Sequence, residues 1–497
     1  MRLVCRYAGT IVGLLLTGCS VGPDYKTPSV PMSASFKEAV PADYKTAGQW
    51  QPARPDDRAV KGKWWEIFGD PELNRLEDAL TDANQTLKES EARFRQARAM
   101  IRYQRAAEFP AVSVGASAAS IQDSGRGPYF LIPNPQPQGQ LELPFDLNYE
   151  IDVWGRIRRT VEAAREEAQA SAADLETVSL SLHAELALDY IELRSADSQE
   201  RLLSDTVKAY TDAVRLTQNR QVGGYAPISD VEQAETQLAT TRVQQTDIGV
   251  IRTQYEHAIA VLMGEPPAAL TLAPAPLNLV PPRVPSGIPS ALLQRRPDIA
   301  AAERRVAAAN EQIGIAQAAF YPTLSLGALA GFEGNSGAAW FGWPSLFWAV
   351  GTSLSQPLFD GGRIRAQSDA TRAAYDAYVA TYRQTTLTAF QQVEDNLAAL
   401  RILDAEAQQQ SQAVDAASRS LRTFTNRYVG GEDAYLQVIT AQTALLLNQR
   451  NNVDIERRRM EADLRLIKAL GGGWDVSQLP ELDTGGIPRG AIVPLAQ

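Results

Sequence analysis

The chain has 497 residues, 44% of them hydrophobic and 7% aromatic, and a formal net charge of −10 at pH 7. That acidic balance argues against a nucleic-acid partner, whose phosphates call for a basic counter-surface. With two cysteines in the whole chain, no disulfide framework holds the fold, and its stability falls to helix packing.

Residues 1–18 carry Arg2 and Arg6, an apolar core from Ile11 to Leu16, and then Leu16-Thr17-Gly18-Cys19. This is a secretory signal, too short to span a bilayer as a helix. Small residues before a cysteine have the form of a bacterial lipobox, in which Cys19 becomes the acylated N-terminus and its covalent lipid the sole expected cofactor. An ordinary signal peptide with a coincidental cysteine is the alternative. Cys5 leaves with the signal, and loss of Arg2 and Arg6 takes the formal charge to 46 − 58 = −12. An acidic exported lipoprotein fits a periplasm-facing role.

Residues 20–63 are polar and punctuated by Pro23, Pro28, Pro31, Pro41, Pro52 and Pro55, and are expected to lie extended over the outside of the fold. Asp70-Pro71 reads as an N-cap with proline at the first helical position, opening a Gly- and Pro-free helix from Glu72 to Phe109. After Phe109-Pro110 the texture changes to Val112-Ser113-Val114-Gly115-Ala116-Ser117, and a Pro-rich loop at 128–137 leads into an alternating run. Leu141, Leu143, Phe145, Leu147, Tyr149 and Ile151 point one way, and Glu142, Asp146, Asn148, Glu150 and Asp152 the other. Period two over such a run predicts a strand with one apolar and one acidic face. Its length suits a tilted transmembrane strand of about 9–11 residues. A half-buried strand in a soluble sandwich is the alternative, and Pro144 lies within the run.

From Arg156 to Val222 there are 67 residues without Gly or Pro, about 100 Å as one helix. Leu175, Val178, Leu182 and Leu186 step by 3, 4 and 4, a period that suits nearly straight or slightly right-handed helix association. After Gly223-Gly224 the chain returns through Ile228–Met263, broken only by Gly249, and a Pro-rich stretch at 264–297 leads to a second half in the same order. That half has a helix at 298–320, Tyr321-Pro322, strands Thr323–Phe332 and Phe347–Pro357, a run Arg363–Val429 of 67 residues, and a return Glu432–Leu470. Asn219–Leu238 and Asn426–Leu445 align without a gap at an offset of 207, with nine of twenty positions identical. Gly155-Arg156-Ile157-Arg158 recurs as Gly362-Arg363-Ile364-Arg365 at the same offset. Each Gly pair is expected to adopt positive φ at the tip of a helical hairpin, and equal lengths end both hairpins at one height. The domains expected are a signal (1–18), an anchored extended segment (19–63), a first repeat (64–264), a linker (265–288), a second repeat (289–471) and a tail on a surface course (472–497).

Two strands per half make four, which cannot close a barrel across a bilayer, where no edge amide stays unpaired. Single-chain bacterial barrels begin at about eight strands, so several copies must share one sheet; two give eight strands and three give twelve. The apolar row then meets lipid and the acidic row a water-filled lumen, while Trp340, Trp343 and Trp348 fall where an interfacial belt belongs. No P-loop, HExxH, GxSxG or CxxC occurs, so the usual enzyme signatures are absent. His183 and His257 lie far apart on predicted helices, packed or solvated rather than paired in a site. A non-porous coiled-coil spacer lipoprotein is the rival from another class, and the lumen-facing acidic row argues against it.

GCSVGPDYKTP at 18–28, WWEIFGDPEL at 64–73, the stretch from Pro289 to Leu326, QPLFDGGRIRA at 356–366, the two VGG tips and LGGGW at 470–474 together resemble the TolC-like outer membrane factors, in the lipoprotein branch of OprM- and NodT-type efflux proteins. The resemblance implies a mixed α and transmembrane β fold. It implies a homotrimer in which each protomer gives four strands to a shared twelve-stranded β-barrel and long helical hairpins to a periplasmic α-barrel, girdled by an equatorial collar. It further implies a passive exit duct for drugs or other small toxic compounds, embedded in outer-membrane lipid. A periplasmic membrane-fusion adaptor and an inner-membrane transporter of the RND type would be its partners. Type I secretion and metal efflux share the architecture, although Met32, Met100, Met263 and Met460 are too scattered for a soft-metal cluster.

Adaptor docking in the resembled family maps onto Arg220, Val222, Gly223, Gly224, Arg427, Val429, Gly430 and Gly431. Its periplasmic gate of Tyr, Leu and Asp maps onto Tyr428, Leu436 and Thr440, so the Asp is missing and no ring of charge forms there. Leu436 still allows an apolar, dewetting gate, and Asp230 beyond the first tip is the candidate for acidic character.

Overall fold

The computed structural model describes residues 20–31, 36–38, 62–122, 124, 136–279, 295–338, 340–474, 476–480 and 482. Helix α1 (Pro71–Ala83) opens as expected, with Asp70 Oδ1 accepting from the amides of Glu72 at 2.8 Å and Leu73 at 3.2 Å. The single helix expected to reach Phe109 is instead two. Asn84 is extended (φ −61, ψ 127), and its Oδ1 accepts from the Leu87 amide at 2.9 Å to start α2 (Gln85–Arg105). Its Nδ2 donates to the Leu262 carbonyl at 2.7 Å, so the break is fixed by a returning helix far away in sequence.

Strands β1 (Ala111–Val114), β2 (Ser117–Ile121), β3 (Gln138–Ile151), β4 (Thr323–Gly334) and β5 (Leu346–Ser355) form one antiparallel sheet. β1 and β2 lie end to end along the same edge of β3, Val114 opposite Phe145 and Ser117 opposite Glu142. The interruption faces Pro144, whose carbonyl accepts from the Gly115 amide at 3.0 Å but which has no N–H to return. The first half thus keeps its two strands, one of them in two pieces. On the other side of Pro144 stands Gly331, where a Cβ would lie 2.3 Å from the Leu143 carbonyl oxygen, so that position admits only glycine.

Register carries the apolar row of β3 across the whole sheet. Val112, Leu147, Ala328 and Val350 make one rung, and Val114, Phe145, Ala330 and Trp348 the next. Two of the intervening rungs are polar or small, Glu150-Ser325-Ser353 and Asn148-Gly327-Gly351, and the next, Asp146-Leu329-Ala349, is mixed.

The long helices are α3 (Arg156–Val222), α4 (Ile228–Leu262), α5 (Pro297–Ala318), α6 (Arg363–Gly430) and α7 (Tyr435–Ala469). At 67 and 68 residues, α3 and α6 match the equal runs read from the sequence. Nearest the sheet α2 packs on α3, α3 on α5 and α5 on α6; farther out α4 packs on α3, and α7 on both α3 and α6. The main core lies midway, where Trp64, Trp65, Phe68, Leu73, Leu76 and Leu80 fill the space against α3, α6 and α7. The N-terminal segment crosses the helices in extended form: Pro23 accepts from Arg159, Ser29 from Arg383, and Glu394 takes the amides of Lys37 and Glu38. The start of the tail departs from a plain surface course, because Trp474 is buried against Ala173, Ala300 and Ala301. Those alanines leave a slot that an indole fills.

Candidate channel wall and hairpin tips

Each strand continues into a helix at the same place in the order: α2 into β1, β3 into α3, α5 into β4 and β5 into α6. The sheet and the helical layer are therefore two storeys of one curved wall. On the sheet, a hollow of about 510 Å³ is lined by Asp146, Asn148, Ser325, Gly327 and Ser353, with Leu329 beside them. On the helices, a second hollow of about 830 Å³ is lined by all four of α2, α3, α5 and α6, through Gln96, Gln104, Thr160, Gln312 and Tyr378 among others. On the helical side Arg305 pairs with Asp174 and sits 4.0 Å from Glu167.

The opposite end is set by the two hairpin turns. Gly224 (φ 75) and Gly431 (φ 78) take the left-handed conformation, whereas Gly223 has φ −72 and Gly430 is the last residue of α6. Only the second glycine of each pair has positive φ, which corrects the expectation for both: one left-handed residue suffices to end a helix, and the first still belongs to it. Val222 is 85% exposed and Val429 50%, so both tips present aliphatic surface.

Between the tips, Arg220 Nη1 donates to the Val429 carbonyl at 2.9 Å, and its guanidinium carbon lies 4.8 Å from the centroid of the Tyr428 ring. Tyr428 Oη donates to Asp230 Oδ2 at 3.2 Å, linking the second hairpin back to the first. Tyr428 and Tyr435, with ring centroids 5.1 Å apart, are buried with Ala234 and Val438. Burial and the Asp230 carboxylate raise the Tyr428 phenol, and burial pushes Tyr435 up to about 12, so both stay protonated donors. Arg427 instead folds onto its own turn, 2.7 Å from Asp433 and 3.7 Å from Glu432.

The residues aligned with the resembled gate are thus divided. Leu436 and Thr440 share an exposed face of α7, and the Thr440 hydroxyl is spent on the Leu436 carbonyl at 2.9 Å. Tyr428 is off that face, buried between the hairpins and joined to Asp230. Cys19 lies outside the described residues; two positions on, the Val21 amide donates to the Trp154 carbonyl at 3.1 Å, at the β3–α3 junction.

The family model described as outer membrane efflux protein matches residues 76–265 and 288–472. The chain belongs to that family. The toluene efflux pump outer membrane protein TtgF of Pseudomonas putida is 32% identical over 482 residues, 95% of this chain and 97% of the relative. The pyoverdine export outer membrane protein OpmQ of Pseudomonas aeruginosa is 31% identical, over 93% of this chain and 95% of its own. Among solved structures, the outer-membrane channel OprN superposes with a TM-score of 0.83 at 30% identity, over 92% of this chain and 100% of that one. The CmeC outer membrane channel of Campylobacter jejuni, at 23% identity and a TM-score of 0.85 over 93% and 96% of the two chains, has the same fold.

Two polar clusters of this outer membrane efflux protein escaped the sequence reading. In the midway core, His183 Nδ1 lies 2.6 Å from Glu77 Oε2, both buried, with the Trp65 indole stacked on the imidazole at 4.3 Å. Burial pushes Glu77 up to about 9 and His183 down to about 4, so near neutral pH the pair is an uncharged acid against an uncharged imidazole. Nothing local announces a partner 106 residues away. Nearer the tips, Arg457 bridges Glu192 on α3 to Asp454 and Glu461 on α7. Its spacing to Asp454 and Glu461 is legible as helical, its reach to Glu192 is not.

Proposed function

We propose that three copies of this chain close a shared barrel and form the exit duct of a tripartite efflux pump, passing drugs or other small toxic compounds out of the cell. The observation that carries this reading is the matched order of strands and helices, with the sheet's two outer edges left open. Among the described residues neither outer edge of the sheet, β1 with β2 on one side and β5 on the other, has a strand partner. Open edges do not persist in lipid. β1 runs away from the helices and β5 runs back towards them, so one copy's β5 meets the next copy's β1 antiparallel and the ring closes without a parallel seam.

In this reading the Val112 and Val114 rungs face lipid, and Trp340, Trp343 and Trp348 mark the outer interface, where Trp343 is 84% and Trp348 72% exposed. Cys19 carries the lipid; its neighbour Val21 is held at the strand-to-helix junction, the level of the inner leaflet. The exposed valines and glycines of the tips receive a periplasmic adaptor, and an inner-membrane transporter of the RND type supplies the energy. The relatives named for toluene and for pyoverdine export favour small-molecule cargo over polypeptide or metal.

Native mass in mild detergent, measured together with the acylation of the N-terminus, tests the proposal. A trimer with lipid on Cys19 is expected. A stable monomer overturns the shared barrel and returns the spacer lipoprotein to the lead.

A further inference from the structure

The two halves of the chain meet at a contact that the outer edges of the sheet lack. Where β3 gives way to α3, Trp154 stacks on Tyr321, ring centroids 4.7 Å apart, and its Nε1 donates to the Pro322 carbonyl at 2.8 Å. Tyr321-Pro322 stands between α5 and β4 as Phe109-Pro110 stands between α2 and β1. Val153-Trp154 stands before Gly155-Arg156-Ile157-Arg158, and Leu358-Phe359 stands, two residues farther off, before Gly362-Arg363-Ile364-Arg365. The first aliphatic–aromatic pair finds its aromatic-proline step inside the chain. The second does not: Leu358 is 96% and Phe359 93% exposed. On the far edge of the same sheet, where α2 gives way to β1, Phe109 is exposed as well.

Resting on the three-copy reading, we propose that Phe359 of one copy lies on the Phe109-Pro110 step of the next, repeating between copies the contact that Trp154 makes on Tyr321-Pro322 within one. The repeat supplies the occupant. β3 pairs with β4 inside the chain, and the equivalent pairing at the open edge is β5 with a second copy's β1, which brings these two junctions together. Ile151 is opposite Leu324 and Leu324 opposite Leu354 along one rim, and β1 begins at Ala111 opposite Asn148, three residues farther into the sheet, so the stagger between copies is set by the β5–β1 register. The contact between copies differs from the internal one in one respect: phenylalanine has no indole N–H, so it is apolar throughout.

The test is the pair Phe109→Cys with Phe359→Cys in the full-length chain, treated in outer-membrane fractions with a short bis-maleimide and run in denaturing gels, beside each single variant. Within one chain these sites are separated by three strand spacings, about 14 Å, and a link inside a chain leaves the mass unchanged. Covalent dimers and trimers in the double variant alone are expected. A trimer by native mass with no such ladder overturns this contact while leaving the three-copy reading standing; a monomer by native mass overturns both. Alanine at Phe359 is expected to lower, by several degrees, the temperature at which the trimer dissociates in detergent, with Phe359→Trp restoring it. An unchanged temperature in Phe359→Ala overturns the proposal and assigns the side chain to the lipid interface.

Discussion

Arg220 and Arg427 stand at the same place in two hairpins related by 207 residues, and they reach in different directions. Arg220 crosses to Val429 and Tyr428 of the other hairpin, while Arg427 closes on Asp433 and Glu432 of its own turn. The same divergence recurs midway along the helices. His183 on α3 meets Glu77 of α1, and its counterpart by offset, Phe390 on α6, joins the apolar core. A repeat fixes where a residue stands; the neighbours decide what it does. α3 is the hub, touching α1, α2, α4, α5 and α7, whereas α6 leans chiefly on α5 and α7. The first hairpin is therefore packed on more elements than the second.

The largest effect that sharpens this contrast is expected at the hub. Glu77→Ala leaves His183 Nδ1 unpaired and a hole beneath Trp65, at a cost of about 2–4 kcal/mol, whereas Glu77→Gln keeps a donor and costs less than about 1 kcal/mol. Thermal unfolding against pH distinguishes the charge states. Glu77 titrates at 4.5 unfolded and about 9 folded, so its contribution is full below 4.5 and falls as pH rises through that window. His183 titrates at 6.5 unfolded and about 4 folded, so its contribution is full above 6.5 and falls as pH drops towards 4. The slopes oppose between 4.5 and 6.5, and above 6.5 only Glu77 acts. The wild type is expected to lose stability from pH 6.5 to 9, with Glu77→Gln flattening that limb; an unaltered limb would show that Glu77 is ionised in the fold.

At the tips the contrast becomes one of conductance. Arg220→Ala removes a charged hydrogen bond and a ring contact between hairpins, together about 2 kcal/mol, or roughly 30-fold in the ratio of open to closed tips. Arg427→Ala removes pairs within its own turn, with the exposed Glu432 and the half-buried Asp433, worth about 1 kcal/mol and leaving the hairpin-to-hairpin contacts in place. Single-channel recordings in planar bilayers should therefore show Arg220→Ala open far more often than Arg427→Ala, and equal behaviour would mean that the hairpins are held alike. A smaller, several-fold rise in closed-state current is expected for Leu436→Ser, which wets an apolar side chain 56% exposed on the second hairpin. An unchanged current there places the narrowest point elsewhere.

Much of this architecture was legible because it rests on local periodicity. Runs without Gly or Pro gave both long helices their lengths, and the alternation at Leu141–Ile151 gave β3 its two faces. Breaks that depend on distant partners were not legible: Asn84 reads as an ordinary helical residue until the Leu262 carbonyl meets its side chain. The tip residues were found by repetition, yet their division of labour was hidden, because Tyr428 was aligned with Leu436 as a gate and is in fact buried against the first hairpin. The tail reads as a surface course from its Gly and Pro alone, since only the assembled helices offer the alanine slot for Trp474.

The smallest effects separate the two turns themselves. Gly430 is helical with no atom nearer to an added Cβ than Glu432 Oε1 at 3.9 Å, so Gly430→Ala should stabilise the tip by about 0.5–1 kcal/mol through helix propensity. Gly431, at φ 78, should lose about 1–2 kcal/mol on the same substitution. Gly223 is helical too, but a Cβ there meets the Tyr225 ring at 2.9 Å, and Tyr225 is 79% exposed and able to swing aside. Gly223→Ala should therefore gain less than Gly430→Ala, by the cost of displacing one ring from its seat. Hydrogen exchange at the last-turn amides of α3 and α6 reads the two gains separately. Equal protection would mean that Tyr225 does not rest on the first tip, and that the two turns differ only in what Arg220 holds across them.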